Sequence, residues 1–289
     1  MFKKKKDQTY QSYWSISWNI FKKNKVAMVC LFIVILLCLI ALFAPLIAPY
    51  DPNKQVLTDR LMKPCGQHWF GTDDLGRDIF SRIIYGCRVS LSVGIISQII
   101  ATVIGYTMGV CAGYYGGKVD SVISFLIQVF SSFPFLLFAM AIMFVLGPGL
   151  INLYLALGLL GWASTARLIR GDVMRLKKME YIDACKVSGG NSFRIIMKHL
   201  LPNCLSTLIV TVTLGIPNAI MSEASLSFLG LGVKAPMASW GSMISFSQPY
   251  IRSATYYSVI PGLAIIITVL AFNMLGDGLR DVLDPKLRS

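Results

Sequence analysis

Residues 167–203 read RLIRGDVMRLKKMEYIDACKVSGGNSFRIIMKHLLPN and form the longest charged interruption between the apolar runs of the chain. This stretch, called the central loop below, holds eight lysine and arginine residues against three acids. Two short helices are predicted in it, separated by Gly189-Gly190. A basic connection between long apolar runs is typical of a loop at a membrane surface.

The two predicted helices differ in the face that they present. The first carries Tyr181 and the small residues Ala184, Cys185 and Ser188 on one side, and a face of small residues lets another backbone or side chain approach closely. The second has an apolar stripe at helical spacing, formed by Phe193, Ile196, Met197, Leu200 and Leu201. Asn191 or Ser192 can cap its start, and Pro202 is expected to mark its end. We interpret the central loop as a docking element.

The composition of the chain is that of a membrane protein. Its 289 residues are 55% hydrophobic and only 14% charged, with a mean hydropathy of +0.64, whereas a soluble domain carries about 25% charged residues. The net charge of +13 raises nucleic-acid binding as an alternative. The basic residues cluster beside the apolar runs, and that distribution argues against a nucleic-acid partner and for the lipid bilayer.

Six apolar runs predict an all-α, polytopic membrane protein with six transmembrane helices, at 26–47, 89–115, 121–146, 150–168, 204–229 and 256–275. The first run is too long for a signal peptide and is expected to be a retained span. The chain then divides into a basic N-terminal segment (1–25), a first transmembrane helix (26–48), an extracytoplasmic segment with a short helix (49–88) and a five-helix core (89–289). With the N-terminus inside, 19 of the 27 lysine and arginine residues lie on the inner side, which predicts cytoplasmic termini and a cytoplasmic central loop.

Within the extracytoplasmic segment, the sequence predicts a short helix that Thr72 caps, with Asp73 and Asp74 in its first turn. Two ion pairs at helical spacing are expected there, Asp74–Arg77 and Asp78–Arg82. A cation site on the three aspartates is the less favoured alternative to this internally paired helix. A disulfide between Cys65 and Cys87 is also left open, since sequence spacing alone does not establish one.

Three features inside the predicted spans bear on packing and transport. Gly105, Gly109 and Gly113 form a face for close helix packing, either within the bundle or against a partner. Pro134 and Pro217 are candidate kinks. Glu223 is the only acid in a predicted span, and its serine neighbours favour a hydrogen-bonded structural network over proton coupling.

The sequence contains no recognisable combination of residues that catalysis would require. The two histidines, His68 and His199, are predicted on opposite sides of the membrane, and no phosphate-binding P-loop motif occurs. The chain is therefore not expected to be an enzyme or to hydrolyse ATP by itself.

Several motifs resemble those of bacterial ATP-binding-cassette (ABC) importer permeases. Asp183-Ala184-Cys185, then Gly189 and Leu200-Leu201-Pro202, resembles their EAA loop, with Asp and Cys in place of the usual Glu and second Ala. Residues 68–94, HWFGTDDLGRDIFSRIIYGCRVSLSVG, and residues 222–232, SEASLSFLGLG, are similar to signatures of the oligopeptide, dipeptide and nickel subfamily, C-type subunit.

The resemblance implies the type I ABC importer permease architecture in a prokaryotic plasma membrane. It also implies partners: a second homologous permease in a heterodimer, two cytoplasmic ATPase subunits that bind ATP and Mg²⁺, and an extracytoplasmic substrate-binding protein, with no cofactor in this chain. The ATPase-coupling residues would be Glu180, Tyr181, Asp183, Ala184, Cys185, Ser188, Gly189, Phe193 and Pro202. Peptides are the favoured substrates, and nickel or a metallophore is the alternative. An ion-coupled secondary carrier and a membrane scaffold are less favoured alternative functions.

Overall fold

The structure is a computed structural model that describes residues 13–283, so the basic run at 3–6 lies outside the described residues. The described part is built from α-helices: α1 (Tyr13–Lys23), α2 (Lys25–Leu42), α3 (Ala44–Ile47), α4 (Ile79–Tyr115), α5 (Gly117–Ser132), α6 (Phe135–Leu146), α7 (Leu150–Leu176), α8 (Glu180–Val187), α9 (Ser192–Ile195), α10 (Leu201–Phe228), α11 (Trp240–Ser247) and α12 (Thr255–Leu283). A π-helical turn, Ile196–Leu200, joins α9 to α10, and 3₁₀ turns lie at Leu57–Asp59 and Gln248–Tyr250. The all-α fold predicted from the sequence is confirmed.

Four helices of the described residues are long and apolar enough to cross a membrane: α2, α4, the continuous helix Ser192–Phe228, and α12. A fifth span arises if α5 and α6 count as one, although they meet at an angle of 90°. The predicted fourth span coincides with α7, which has 27 residues but more polar side chains. The structure by itself therefore gives four spans, or five with the bent pair.

The bend between α5 and α6 lies at Pro134, where the sequence predicts a kink. Phe133 before it is extended, with φ −94° and ψ 140°, as expected for a residue that precedes proline. Pro217, by contrast, lies within the continuous helix α10. Pro134 therefore divides one apolar run into two helices.

Helices α4 and α7 pack against each other through the three glycines of α4. A Cβ atom at Gly105 would lie 2.8 Å from the carbonyl oxygen of Trp162, and one at Gly109 would lie 2.7 Å from that of Ala166. One at Gly113 would lie 2.9 Å from the carbonyl oxygen of Arg170. The predicted glycine face thus meets a helix of its own bundle.

The extracytoplasmic segment differs from its prediction. Residues after Thr72 form a turn closed by a Thr72–Asp78 bridge, and the helix α4 begins only at Ile79. Asp78 is the cap, because its carboxylate accepts a hydrogen bond from the Ser81 backbone N–H at 2.7 Å. The predicted helix capped by Thr72 is therefore wrong, since the carboxylate that satisfies the free N–H groups sits six residues later.

We predict that Gly109→Ala destabilises the fold by about 1–3 kcal/mol, because the added methyl group meets backbone in the α4–α7 contact. The matched control is Gly171→Ala on α7, where a Cβ atom would meet nothing within 4 Å. That change should leave stability unchanged or raise it by up to about 1 kcal/mol. Thermal unfolding of the purified protein in detergent compares the two variants, and equal unfolding temperatures would contradict the proposed contact.

Candidate functional site

A partly open cavity of about 1160 Å³ lies among helices α4, α6, α7, α10 and α12. Its volume slightly exceeds the range of about 300–1,000 Å³ that is usual for small-molecule pockets. Helices α7 and α10, which contribute most of the lining, are also the two helices that the central loop connects. The cavity and the central loop therefore form one candidate site.

One side of α10 supplies a row of polar side chains to the cavity, called the polar stripe below: Thr207, Thr211, Asn218, Ser222 and Ser225. Several of these hydroxyl groups donate to carbonyl oxygens of their own helix, as Thr211 does to Thr207 at 2.7 Å and Ser222 to Asn218 at 2.8 Å. Their oxygen lone pairs remain available as acceptors. The sequence analysis assigned no residue to the lining of a pathway. Polar residues at helical spacing within an apolar run could have indicated this face of α10.

Charged residues line only the cavity end that adjoins the central loop. They are Asp172 and Arg175 of α7 and Arg280 of α12. Thr207 Oγ1 donates to Asp172 Oδ2 at 2.5 Å, which ties α10 to α7 at this end. The rest of the lining is neutral.

The first helix of the central loop, α8, has one fully buried side chain, Ile182. Five of the residues predicted to couple are exposed: Glu180, Tyr181, Asp183, Ala184 and Ser188. Asp183 forms an exposed ion pair with Lys186 at 2.8 Å. The outer surface of α8 is thus free for a partner, and the buried anchor Ile182 was missed from the sequence.

Cys185 lies on the inner side of the central loop. It is partly buried, and its Sγ lies 3.6 Å from His199 Nε2. A Cβ atom at Gly190 would lie 2.8 Å from the Cys185 carbonyl oxygen. The missing side chain of Gly190 therefore permits close packing against Cys185, and Cys185 is not on the exposed face together with Ala184 and Ser188.

The turn between the two helices agrees with its prediction. Gly189 has φ +81°, a value that glycine adopts without steric cost. Asn191 caps the second helix by accepting from the Arg194 backbone N–H at 2.8 Å. The break and the cap were therefore readable from the sequence.

The apolar stripe predicted for the second helix is confirmed in part. Leu200 is buried, and Ile196 and Leu201 pack against the same core cluster. The prediction is wrong for Phe193 and Met197. Phe193 is 73% exposed and Met197 is 45% exposed, whereas Ile195 and Leu200 are buried. The reason is the π-helical turn, in which the Leu201 N–H bonds to the Ile196 carbonyl. A π turn adds a residue to the helical repeat and shifts which side chains face inward.

Pro202 does not end this helix. It lies exposed at the second position of α10, and the chain remains helical from Ser192 to Phe228. Pro202 directly follows the π-helical turn Ile196–Leu200, where the regular hydrogen-bond ladder is already interrupted, so its missing N–H does not end the helix. The predicted helix end at Pro202 is therefore wrong.

Polar contacts hold the central loop against α4 and α5. Lys177 Nζ donates to the Tyr114 carbonyl at 2.5 Å, and the Tyr114 hydroxyl donates to Ser192 Oγ at 3.4 Å. Arg170 binds both carboxylate oxygens of Asp120, at 2.5 and 2.7 Å. The loop is therefore a fixed part of the bundle.

Glu223 is fully buried at the opposite end of α10 and joins it to α11. Its Oε1 accepts from the hydroxyl groups of Ser227 and Ser239, each at 2.6 Å. Ser239 also caps α11 by accepting from the Ser242 N–H at 3.0 Å. The structural network predicted around Glu223 is confirmed, although Ser222 and Ser225 bond to their own helix instead.

Buried ion pairs organise residues 49–88, the segment between α3 and α4. Asp73 accepts from Arg77 Nε at 2.6 Å and lies 3.5 Å from Arg82 Nε, while Arg77 lies 4.0 Å from Asp74 as predicted. Asp78 pairs with His68 at 2.9 Å. The predicted Asp78–Arg82 pair is wrong, since Arg82 approaches Asp73, and the internal pairing is buried rather than solvated.

A cation site and a disulfide were the two alternatives left open for this segment. The described residues contain no group of three or more His, Cys, Asp and Glu side chains that could hold a metal ion. Cys65 and Cys87 are both free thiols. Cys87 is buried within α4 whereas Cys65 is exposed, so the disulfide does not form.

Residues 102–289 match the family model of binding-protein-dependent transport system inner membrane components. The chain belongs to this family. Residues 12–64 of the permease also match the N-terminal transmembrane domain of oligopeptide transport permease C. The resemblance inferred from the motifs is thereby confirmed, and the protein is a multi-pass membrane permease.

Curated relatives cover nearly the whole permease. The dipeptide transport system permease DppC of Bacillus subtilis is 46% identical over 96% of this chain and 87% of its own length. The oligopeptide permease OppC of the same organism is 42% identical over 96% and 91%. The glutathione permease GsiD of Pectobacterium atrosepticum is 41% identical over 98% and 95%.

A solved structure shares the fold of the permease. The inward-facing MetNI methionine ABC transporter aligns with a TM-score of 0.58 at 19% identity, covering 71% of this chain and 98% of the matched chain. At that identity the similarity supports the fold alone. The fold predicted from the resemblance therefore has a counterpart in a solved ABC transporter structure.

We predict that Ser239→Ala destabilises the permease by about 1–3 kcal/mol, because it removes both the cap of α11 and a hydrogen bond to buried Glu223. Ser225→Ala is the control, since Ser225 donates only to the Met221 carbonyl of its own helix. Thermal unfolding in detergent measures both. A Ser239 variant as stable as the Ser225 variant would contradict the network.

Proposed function

We propose that this permease is the C-type transmembrane subunit of an ABC importer for peptides and forms half of its translocation pathway. The observation that carries the proposal is the connection of the cavity to the central loop. Helices α7 and α10 both line the cavity, and their adjacent ends lead directly into α8 and α9. A force applied to the loop would therefore move two walls of the cavity.

Six spans and cytoplasmic termini are part of the proposal. Helix α7 supplies the sixth span, because its 27 residues reach about 40 Å and it packs along α4 for much of its length. A polar span is tolerated where its polar face lines a cavity rather than lipid. The excess of basic residues on one side then places the central loop in the cytoplasm.

The partners follow from the incomplete cavity and the exposed loop. A second, homologous permease would close the open side of the cavity and form a heterodimer. Two cytoplasmic ATPase subunits would bind ATP and Mg²⁺, with one of them receiving the exposed face of α8. An extracytoplasmic binding protein would deliver the substrate. The family description, a component of binding-protein-dependent transport, supports this arrangement.

Coupling would proceed through the anchored loop. ATP-driven movement of the ATPase would displace α8, and the buried Ile182 together with the Lys177–Tyr114 contact would carry that displacement into the bundle. Exposed Phe193 would contact the ATPase instead of the bundle. The cavity would then switch between outward- and inward-facing states.

Peptides are the substrates that best fit the neutral lining of the cavity. Hydroxyl and amide groups can bond to a peptide main chain whatever its side chains are. The dipeptide, oligopeptide and glutathione permeases among the relatives support this class over nickel or a metallophore. Their similarity extends along nearly the whole chain.

Reconstitution of the complete importer in liposomes tests the function. Uptake of a radiolabelled dipeptide should require ATP, the binding protein and both permeases. Uptake of Ni²⁺ in place of the dipeptide would indicate the alternative substrate. Transport that continues without the ATPases and follows an ion gradient would instead indicate a secondary carrier.

We predict that Asp183→Lys lowers peptide uptake at least tenfold while the protein still inserts into the membrane, because the exposed carboxylate lies on the docking face of α8. Asp281→Lys reverses another exposed acid on the proposed cytoplasmic side and serves as the control. Uptake per inserted permease is the measurement. Equal uptake by the two variants would argue against docking through α8.

A labelling experiment tests the proposed topology. In a cysteine-free background, Val187→Cys, at a site that is 90% exposed in α8, should resist a membrane-impermeant maleimide in intact cells. Leu57→Cys, at a site that is 69% exposed in the outer segment, should react. Labelling of both residues, or of Val187→Cys alone, would overturn the orientation.

A further inference from the structure

Gln98 of α4 lies over the one position where the polar stripe has no side chain. Gly215 continues the helical spacing between Thr211 and Asn218 and also lines the cavity. A Cβ atom at Gly215 would lie 2.1 Å from Gln98 Oε1. The Gln98 amide therefore occupies the gap in the polar stripe, so that a side chain from α4 completes a row otherwise built by α10.

The amide of Gln98 has an unused acceptor. The residue is only 8% exposed, and its Nε2 donates to Thr102 Oγ1 at 3.3 Å. No donor in residues 13–283 bonds to its Oε1. Because Gln98 lines the open cavity, this oxygen can accept a hydrogen bond from a molecule that enters it.

Two further polar side chains in the cavity lining also have an oxygen without a hydrogen-bond partner. Ser97 Oγ and Thr165 Oγ1 are buried and have no hydrogen-bond partner within the described part of the chain. Both belong to the α4–α7 wall that also carries Gln98. The wall that carries Gln98 thus holds two further unpartnered hydroxyl groups, while the other buried polar atoms without partners in the described residues lie outside the cavity, at Arg82, Tyr106 and Glu223.

Charged groups lie away from this level of the cavity. Asp172 bonds to Thr207, which is eight residues or roughly 12 Å along α10 from Gly215. A ligand at Gln98 thus meets neutral acceptors. Such a surface suits N–H donors that recur along a chain, which every peptide has in its main chain.

We propose that Gln98 is a substrate-contacting residue whose Oε1 accepts a hydrogen bond from a main-chain N–H of the passing peptide. The inference rests on the proposed function and adds a contact point midway along the cavity. Gly215 is required because any side chain there would displace the amide. A neutral contact to the main chain would explain how the pathway accepts peptides of different side-chain charge.

The test places a charge at the contact without changing its size much. Gln98→Glu and Gln98→Lys are each assembled with the partner subunits in liposomes, with binding protein preloaded with either Lys-Lys or Glu-Glu dipeptide. Preloading makes selection by the binding protein the same for every variant. The ratio of the two initial uptake rates is the readout.

We expect Gln98→Glu to shift the ratio about tenfold toward Lys-Lys and Gln98→Lys to shift it about tenfold toward Glu-Glu, because a fixed charge attracts the opposite charge within the cavity. The same substitutions at Gln128, which is exposed on α5 and outside the cavity lining, should leave the ratio unchanged. A purely structural role at residue 98 would change both rates by the same factor, and that result overturns the proposal.

A third variant covers the case in which the charged proteins do not assemble. Gln98→Asn keeps the amide but withdraws it by one methylene, so uptake of both dipeptides should fall about three- to tenfold with ATP hydrolysis unchanged. Unchanged uptake would overturn the contact. Failure of the wild-type importer to transport any peptide would instead reject the proposed function, so the two failures are distinguishable.

Discussion

The close contact between α4 and α7 is the constraint on which the rest of the structure depends. Glycines on both helices allow it: Gly109 faces the backbone of α7, and Gly158 and Gly161 of α7 face Ile100 and Ala101 of α4. Lipid provides no hydrophobic force to join two helices, so close packing of small residues has to hold them. The two helices form one wall, and the cavity and the central loop are both positioned by it.

The same wall connects the central loop to the cavity. Helix α7 enters the central loop as a continuation of the wall, and α10 leaves it as a continuation of the π-helical turn. Lys177 and Arg170 tie the loop to α4 and α5. Movement of α8 would therefore be transmitted through packed backbone rather than absorbed in a flexible connection.

Local chemistry was readable from the sequence because it depends on neighbours along the chain. The turn at Gly189, the cap at Asn191, the bend at Pro134 and the hydrogen bond from Ser227 to Glu223 all involve residues within a few positions of each other. The errors arose where the backbone departs from a regular α-helix. Asp73 binds Arg82 from outside any helix, and the π turn moves Phe193 to the surface.

The sequence by itself determined that this chain is an all-α membrane permease with a basic loop that presents an exposed helix, because composition, apolar periodicity and local motifs carry that information. Only the tertiary structure decided which polar groups meet in the cavity. Gln98 and Gly215 are more than a hundred residues apart, and their contact exists because α4 and α10 are packed side by side. Periodicity indicates which face of a helix is polar, but the packing of helices decides what that face meets.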